Sequence, residues 1–399
     1  MTGPSSDDLV LADVVEEHLE ELDFLLETRQ GSIFSPDFRP LHLQRLEERI
    51  EAHTDGVREG AEAGLEAARR ALAGDTWSLR AAGAWACLRR PSPALDLVVS
   101  GLAAADDETA LGLRLGLRHA PRDVLPMFAR RLPPEARSDF SEMVLLDARA
   151  FRERSVPAEE LRPFLAHASG AVRMLAWSAR LRCGPGPDRR ELSAAVEDED
   201  ALVRARVLEA AARWGVREVL GLARDAAARG GERDAEAIRA LGAFGGAEEF
   251  ALLRAAVDGA AASAALSALG ALGDLRAVPV LLSAIAVPGL AWAAGNAFTA
   301  MVGEPLGLVP VEVSGELERL PDPAEAMKIW EKRSAGLAPS ERWSGGRAVD
   351  QMGLAEIFGE LNLEAARDAY LRSCLRAGGS AQDFELESLA AERGRPIRP

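Results

Sequence analysis

Between residues 260 and 286 the chain reads AAASAALSALGALGDLRAVPVLLSAIA, and its apolar positions fall in two helical stripes. Ala262, Ala265, Leu266 and Leu269 stand at i, i+3, i+4 and i+7, and after Gly273-Asp274 the spacing resumes in Val278, Leu281, Leu282 and Ile285. Such spacing puts one face of a helix against a core, so it predicts two amphipathic helices joined by a tight turn. The same arrangement surrounds Gly215, with Val203, Val207, Ala210 and Trp214 before it and Val216, Val219, Leu220 and Ala223 after it. A third copy opens at Ser169 as SGAVRMLAWSARL.

The copies are in register with glycines that end helices. Gly184, Gly215, Gly245, Gly273 and Gly303 are separated by 31, 30, 28 and 30 residues, and glycine suits a helix end because it takes the left-handed conformation without a steric penalty. Stepping back by that period lands near Arg152, Ala120 and Arg90, each followed by a proline (Pro157, Pro121, Pro91) placed near the start of the next helix. One hairpin cannot bury both its stripes, so neighbours must stack. The expected fold is all-α, a HEAT-like helical-repeat solenoid of about eight helical hairpins over residues 60–305.

The flanks are off the repeat. Residues 1–59 predict a helical N-terminal cap: Val15, Leu19, Leu22 and Leu26 form one stripe, Ser35-Pro36 reads as a helix start, and Leu43, Leu46, Ile50 and Val57 form a second stripe. Residues 306–399 read as a C-terminal helical extension. Within it, Pro305, Pro310, Pro321 and Pro323 mark a linker, a short helix carries Met327 and Trp330, residues 338–347 form a loop, a helical pair spans 349–377, and a polar tail ends RGRPIRP.

Composition agrees with helices, since tyrosine occurs once and runs of β-branched residues are short. The net charge of −16 is uneven: −11 over residues 1–75, −1 over 76–305 and −4 over 306–399. An acidic first segment disfavours nucleic acid as its partner, because phosphates would be repelled. Cys87, Cys183 and Cys374 are isolated and fit neither a disulfide framework nor a CxxC motif, which points to a reducing, cytoplasmic setting. The acidic first residues do not resemble a secretory signal. The most apolar stretch, 260–273, is too short to insert in a membrane.

The chain carries little that points to catalysis, and no enzyme activity, cofactor or metal is expected. None of the five histidines has a second histidine or a cysteine at i+3 or i+4, and no His-Glu dipeptide occurs, which removes HExxH zinc sites and di-iron repeats. His53 lies on a helix stripe and reads as a half-buried histidine. No GxxxxGK[ST] loop or GxSxG elbow is present. The run Glu197-Asp198-Glu199-Asp200 precedes an apolar stripe and reads as helix-capping charge.

Binding surfaces are the better prospect. Arg173 and Arg204 recur at the repeat period with acids nearby, predicting a ladder of arginine–carboxylate pairs between hairpins. Arg130, Arg131, Arg189, Arg190, Arg217, Arg224 and Arg254 fall on second helices; they are either a solvated face or a positive trough for a partner. Trp85, Trp177, Trp214 and Trp292 lie within repeat stripes and are expected in the core. Trp330 and Trp343 lie beyond the repeats and are expected on a contact surface.

VVEEHLEELDFLLETR, LEERIEAHTDGVREGAEAG and LPDPAEAMKIWEKRSAGLAPSERW, together with the alanine-leucine repeats, resemble a family of uncharacterised bacterial HEAT-repeat proteins. Members of that family are often encoded beside spike, PAAR-like and adaptor components of type VI secretion systems. The resemblance implies an adaptor or chaperone role near effector loading, with a secreted effector or spike component as partner, and no catalytic residues. The expectation is a non-enzymatic protein-binding scaffold, its arc about 80 Å long at about 10 Å per hairpin. The alternative is a nucleic-acid-binding solenoid like the HEAT-like DNA glycosylases, using the second-helix arginines.

Overall fold

The computed structural model describes residues 6–33, 38–89, 93–103, 107–132, 135, 137–184, 186–339, 341–379 and 387. Ser35-Pro36, Arg90, Pro91 and the RGRPIRP tail lie outside the described residues. The chain is all-α apart from four short strands, with 21 α-helices among the described residues. Sixteen of these, α3 (Ala61–Leu72) to α18 (Pro288–Val302), fall between residues 61 and 302. No helix is long and apolar enough to cross a membrane among the described residues.

The contacts divide the chain into two compact units, residues 1–33, 41–184 and 384–399 in the first and 34–40 and 185–383 in the second. In unit 1, α1 (Ser6–Ser32) packs on α3 and α4 (Trp77–Leu88), and α4, α6 (Asp107–Arg118), α8 (Asp139–Glu153) and α10 (Gly170–Arg182) pack in succession. α5 (Pro93–Ala103) and α7 (Val124–Arg131) form a second row, and α9 (Ala158–Leu165) packs on α10. The stripes foreseen for α1 and for α2 (Pro40–Glu59) are buried, from Val15 to Leu26 and from Leu43 to Val57.

Unit 2 repeats this plan. α12 (Ala201–Arg213), α14 (Ala235–Phe244), α16 (Ala262–Leu272) and α18 pack in succession, with α11 (Arg189–Ala195), α13 (Glu218–Arg229), α15 (Phe250–Ala256) and α17 (Val278–Ile285) alternating between them in the chain. Leu266, Leu269, Val278, Leu281 and Ile285 are fully or almost fully buried, as the stripes require. The pairing differs from expectation by one helix. α13 packs most closely on α14, α15 on α16 and α17 on α18, so the glycine turns connect successive close pairs instead of lying inside them.

Side-chain caps start many of these helices. Ser169 Oγ accepts from the Val172 amide at 3.5 Å, Asp200 Oδ1 from the Leu202 amide at 2.8 Å, and Asp188 forms a capping box with Glu191. Gly215, Gly273 and Gly303 are left-handed, with φ of 72°, 66° and 82°. Gly245 also ends a helix but has φ −71°, so its need for glycine is different: a Cβ there would press on the Leu241 carbonyl and the Glu249 side chain.

Residues after Gly303 depart from the linker expected there. Leu308–Val313 (β1) and Glu316–Pro321 (β2) form an antiparallel hairpin, closed by Ser314 and Gly315 at φ 54° and 89°. Two successive positive φ values match the twist of paired strands, which is why this short turn works. The foreseen short helix is α19 (Pro323–Arg333), and the helical pair is α20 (Leu354–Glu360) and α21 (Leu363–Ala377). Within the expected loop, Trp343–Ser344 (β3) pairs with Arg347–Ala348 (β4) across Gly345-Gly346.

Candidate functional site

The second-helix arginines are distributed over exposed faces and already engaged in several places. Arg131 pairs with Asp96 at 2.8 Å, Arg254 with Asp258 at 3.0 Å, and Arg224 with Glu249. Arg217 donates to the Arg376 carbonyl at 3.0 Å. Arg130 and Arg189 are exposed. Arg173 and Arg204, expected in a ladder of carboxylate pairs, make backbone contacts: Arg173 Nη1 donates to the carbonyls of His167 and Ala168, and Arg204 Nη1 to those of Asp198 and Glu199. One guanidinium nitrogen carries two N–H donors, so Nη1 alone serves two adjacent carbonyls.

The tryptophans also exchange places with expectation. Trp85 and Trp177 are core residues and Trp214 is half-buried, but Trp292 is 49% exposed. Trp343 is buried, 8% exposed, and its indole nitrogen donates to the Ala338 carbonyl at 3.0 Å. Trp330 is half-buried against the same core.

Trp343 belongs to a strap that covers helix ends. The last carbonyls of a helix have no partner within it and need donors from elsewhere. Arg372 of α21 donates through Nε and Nη2 to the Ala243 carbonyl, and Arg342 through Nη2 to the Gly245 carbonyl, both at the end of α14. The Trp343 amide reaches the Gly273 carbonyl at the end of α16 at 2.9 Å. The amides of Gly345 and Gly346 reach Ala300 and Met301 at the end of α18, at 2.7 and 3.0 Å. Arginines at helix C-termini also meet the negative end of the helix dipole. α21 itself rests on α12 and α14, tied by Arg367 to Glu209 at 3.1 Å and by Arg213 over the Tyr370 ring.

Between this strap and the helices lies a cavity of 280 Å³. Its walls include Ser267 of α16, Asn296 of α18, Arg342, and Asn362, Glu364, Asp368 and Arg372 at and along α21. Burial, and then mutual repulsion, pulls the Arg372 guanidinium down to about 9; burial pulls Arg342 down to about 10. Both therefore remain charged at neutral pH. Burial pushes Glu364 and Asp368 up from the ordinary carboxylate range. Arg342 Nη1 is buried without a hydrogen-bond partner. The cavity thus offers donors and acceptors of both signs to a small polar group, with no histidine among its lining residues.

No protein-family model matches this sequence, and no curated protein matches it. Among the described residues, no group of three or more His, Cys, Asp or Glu side chains is placed to hold a metal ion. His18 and His53 meet through their Nδ1 atoms at 3.1 Å, and burial, then His18, lowers the His53 pKa. Sequence reasoning did not single out the cavity.

Proposed function

We propose that the chain is a non-enzymatic protein-binding scaffold, a HEAT-like helical-repeat array whose exposed apolar side chains receive another protein. The observation that carries this reading is the exposure of large apolar groups on elements packed against α18. Trp292 (49%) stands out on α18 itself, Val287 (47%) just before its first residue, Leu317 (75%) on the hairpin and Met327 (46%) on α19. Singly exposed apolar residues are ordinary, but several on adjoining elements, with a tryptophan among them, fit the composition of contact surfaces. The partner class follows from the family resemblance: a secreted effector or a spike component, with this chain as its adaptor or chaperone.

The carboxylate pairing of Arg131, Arg224 and Arg254 favours protein binding over nucleic acid, because phosphates would have to displace partners already in place. Affinity purification from the native cell tests the proposal. The wild-type chain should return a recurrent protein partner, and Trp292→Asp with Leu317→Asp should reduce its recovery about tenfold or more, as for loss of a central contact residue. Equal recovery by the double variant, or no recurrent partner, contradicts it.

A further inference from the structure

Unit 1 contains a second concentration of buried charge, and part of the chain far away in sequence fills it. Arg29 near the end of α1, Arg118 at the end of α6 and Arg182 at the end of α10 have side chains only 1%, 6% and 4% exposed. Asp147 of α8, fully buried, takes a two-bonded fork from Arg118 at 2.7 and 2.8 Å and one bond from Arg114 at 2.7 Å. Arg29 is held by Glu47 at 2.9 Å. Among the described residues, these two carboxylates face Arg29, Arg114, Arg118 and Arg182.

Glu387 brings the third carboxylate. Its Oε2 accepts from Arg118 Nη1 at 2.5 Å and lies 3.5 Å from Arg182 Nη2, and its backbone carbonyl accepts from Arg29 Nη2 at 2.8 Å. Its side chain is 17% exposed. Arg118 and Arg182 both lie over the Phe151 ring, 5.1 and 5.3 Å from its centroid, so an aromatic floor fixes the two guanidiniums that meet the incoming carboxylate. Asp147, Phe151 and Glu47 contact the same arginines from the helices of unit 1. The arrangement is a preformed carboxylate receptor with one glutamate of the chain seated in it, and buried positive charge left without that glutamate would need another anion.

We propose that the Arg29–Arg118–Arg182 cluster is a recognition site for an acidic protein segment, filled in cis by Glu387 until a partner's glutamate-bearing segment displaces it. This deepens the scaffold reading, on which it rests, by naming the chemistry of one partner contact: a glutamate among apolar residues, as in the chain's own Phe384-Glu385-Leu386-Glu387-Ser388-Leu389. Recognition uses the side-chain carboxylate and one backbone carbonyl, so it selects a glutamate within a peptide over an inorganic anion.

A fluorescein-labelled synthetic peptide of residues 381–392, titrated into full-length protein, provides the test. The Glu387→Arg chain, whose own segment is repelled, should bind the peptide about tenfold or more tighter than wild type, because the tethered glutamate competes at high effective concentration. A peptide carrying arginine at the position of Glu387 should not bind, and Arg182→Gln added to Glu387→Arg should weaken binding about tenfold. Equal binding to wild type and Glu387→Arg, binding to neither, or binding indifferent to Arg182→Gln overturns the proposal. Should Glu387→Arg fail to fold, Glu387→Gln takes its place in the titration: tighter peptide binding than wild type supports the seat, and equal binding contradicts it. Peptide binding is measured without any cellular partner, so its failure is separable from failure to recover one.

Discussion

Arg173 and Arg204, 31 residues apart, make the same pair of hydrogen bonds, each donating to the carbonyls five and six residues earlier in the chain. Both follow a side-chain helix cap, Ser169 in one case and Asp200 in the other. The repeated unit is therefore a cap and an arginine fork that together finish one loop and begin the next helix. Removing the fork with Arg204→Ala leaves two loop carbonyls to water or to nothing, and unfolding free energy should fall by about 1–3 kcal/mol. Urea unfolding with an unchanged m-value reads this loss, and lysine at the same position should restore only part of it, its ammonium being a point charge on a flexible stem.

The strap predicts a local effect. Arg372→Met preserves much of the side chain's volume but strips two hydrogen bonds from the Ala243 carbonyl. A stability loss of about 1–3 kcal/mol is expected, with hydrogen exchange rising first in α21 and at the end of α14. Exchange rising uniformly across unit 2 would contradict a strap role.

Acid sensitivity should arise in unit 1 from His119 and Asp147. His119 is buried between Trp85 and Phe151, with ring centroids 5.2 Å away on each side, and burial followed by nearby arginines holds its pKa well below the usual imidazole range. The unfolded chain takes up that proton below about pH 6.5 while the folded chain resists it, so stability falls as pH drops through that value. His119→Phe should remove this part of the slope between about pH 7 and 5.

Asp147 acts lower. Burial alone would raise its pKa, but Arg114 and Arg118 hold it well below the carboxylate range. Its contribution is complete above the unfolded value near 3.9 and is lost as pH falls toward the folded one. Glu364 and Asp368, shifted upward, work in the opposite sense in unit 2. The check is accordingly the difference between wild-type and His119→Phe unfolding curves at each pH.

The hairpin turn offers the mildest perturbation. Ser314 sits at φ 54°, a conformation that asparagine tolerates better than serine. Ser314→Asn creates an Asn-Gly turn and should slow hydrogen exchange within β1 and β2 by stabilising the hairpin about 0.5 kcal/mol. Gly315→Ala, at φ 89°, should cost about 1 kcal/mol and speed that exchange.

How far these elements were legible follows from the range of the interactions behind them. The stripes at Leu266–Leu269 and Val278–Ile285 identify buried helix faces because periodicity is local and core packing obeys it. The hairpin at 308–321 was obscured by Pro310 and Pro321, which read as breakers although alternation in LVPVEV and the Ser-Gly turn were present. Trp292 shares the repeat's spacing but lies outward, since periodicity gives a helix's stripe and not the stripe's edge. The strap was not readable at all. Arg342 meets Gly245 across 97 residues and Arg372 meets Ala243 across 129, and arginine in sequence carries no sign that its partners are buried carbonyls.

The scaffold reading meets its most direct test in site-specific photo-crosslinking at position 292. A photoreactive phenylalanine in place of the exposed Trp292, introduced into the full-length chain in its native cell, should yield one recurrent crosslinked protein by mass spectrometry. That yield should fall when Leu317→Asp is added. Irradiation that returns only uncrosslinked chain, or a scatter of proteins indifferent to Leu317→Asp, would contradict the account.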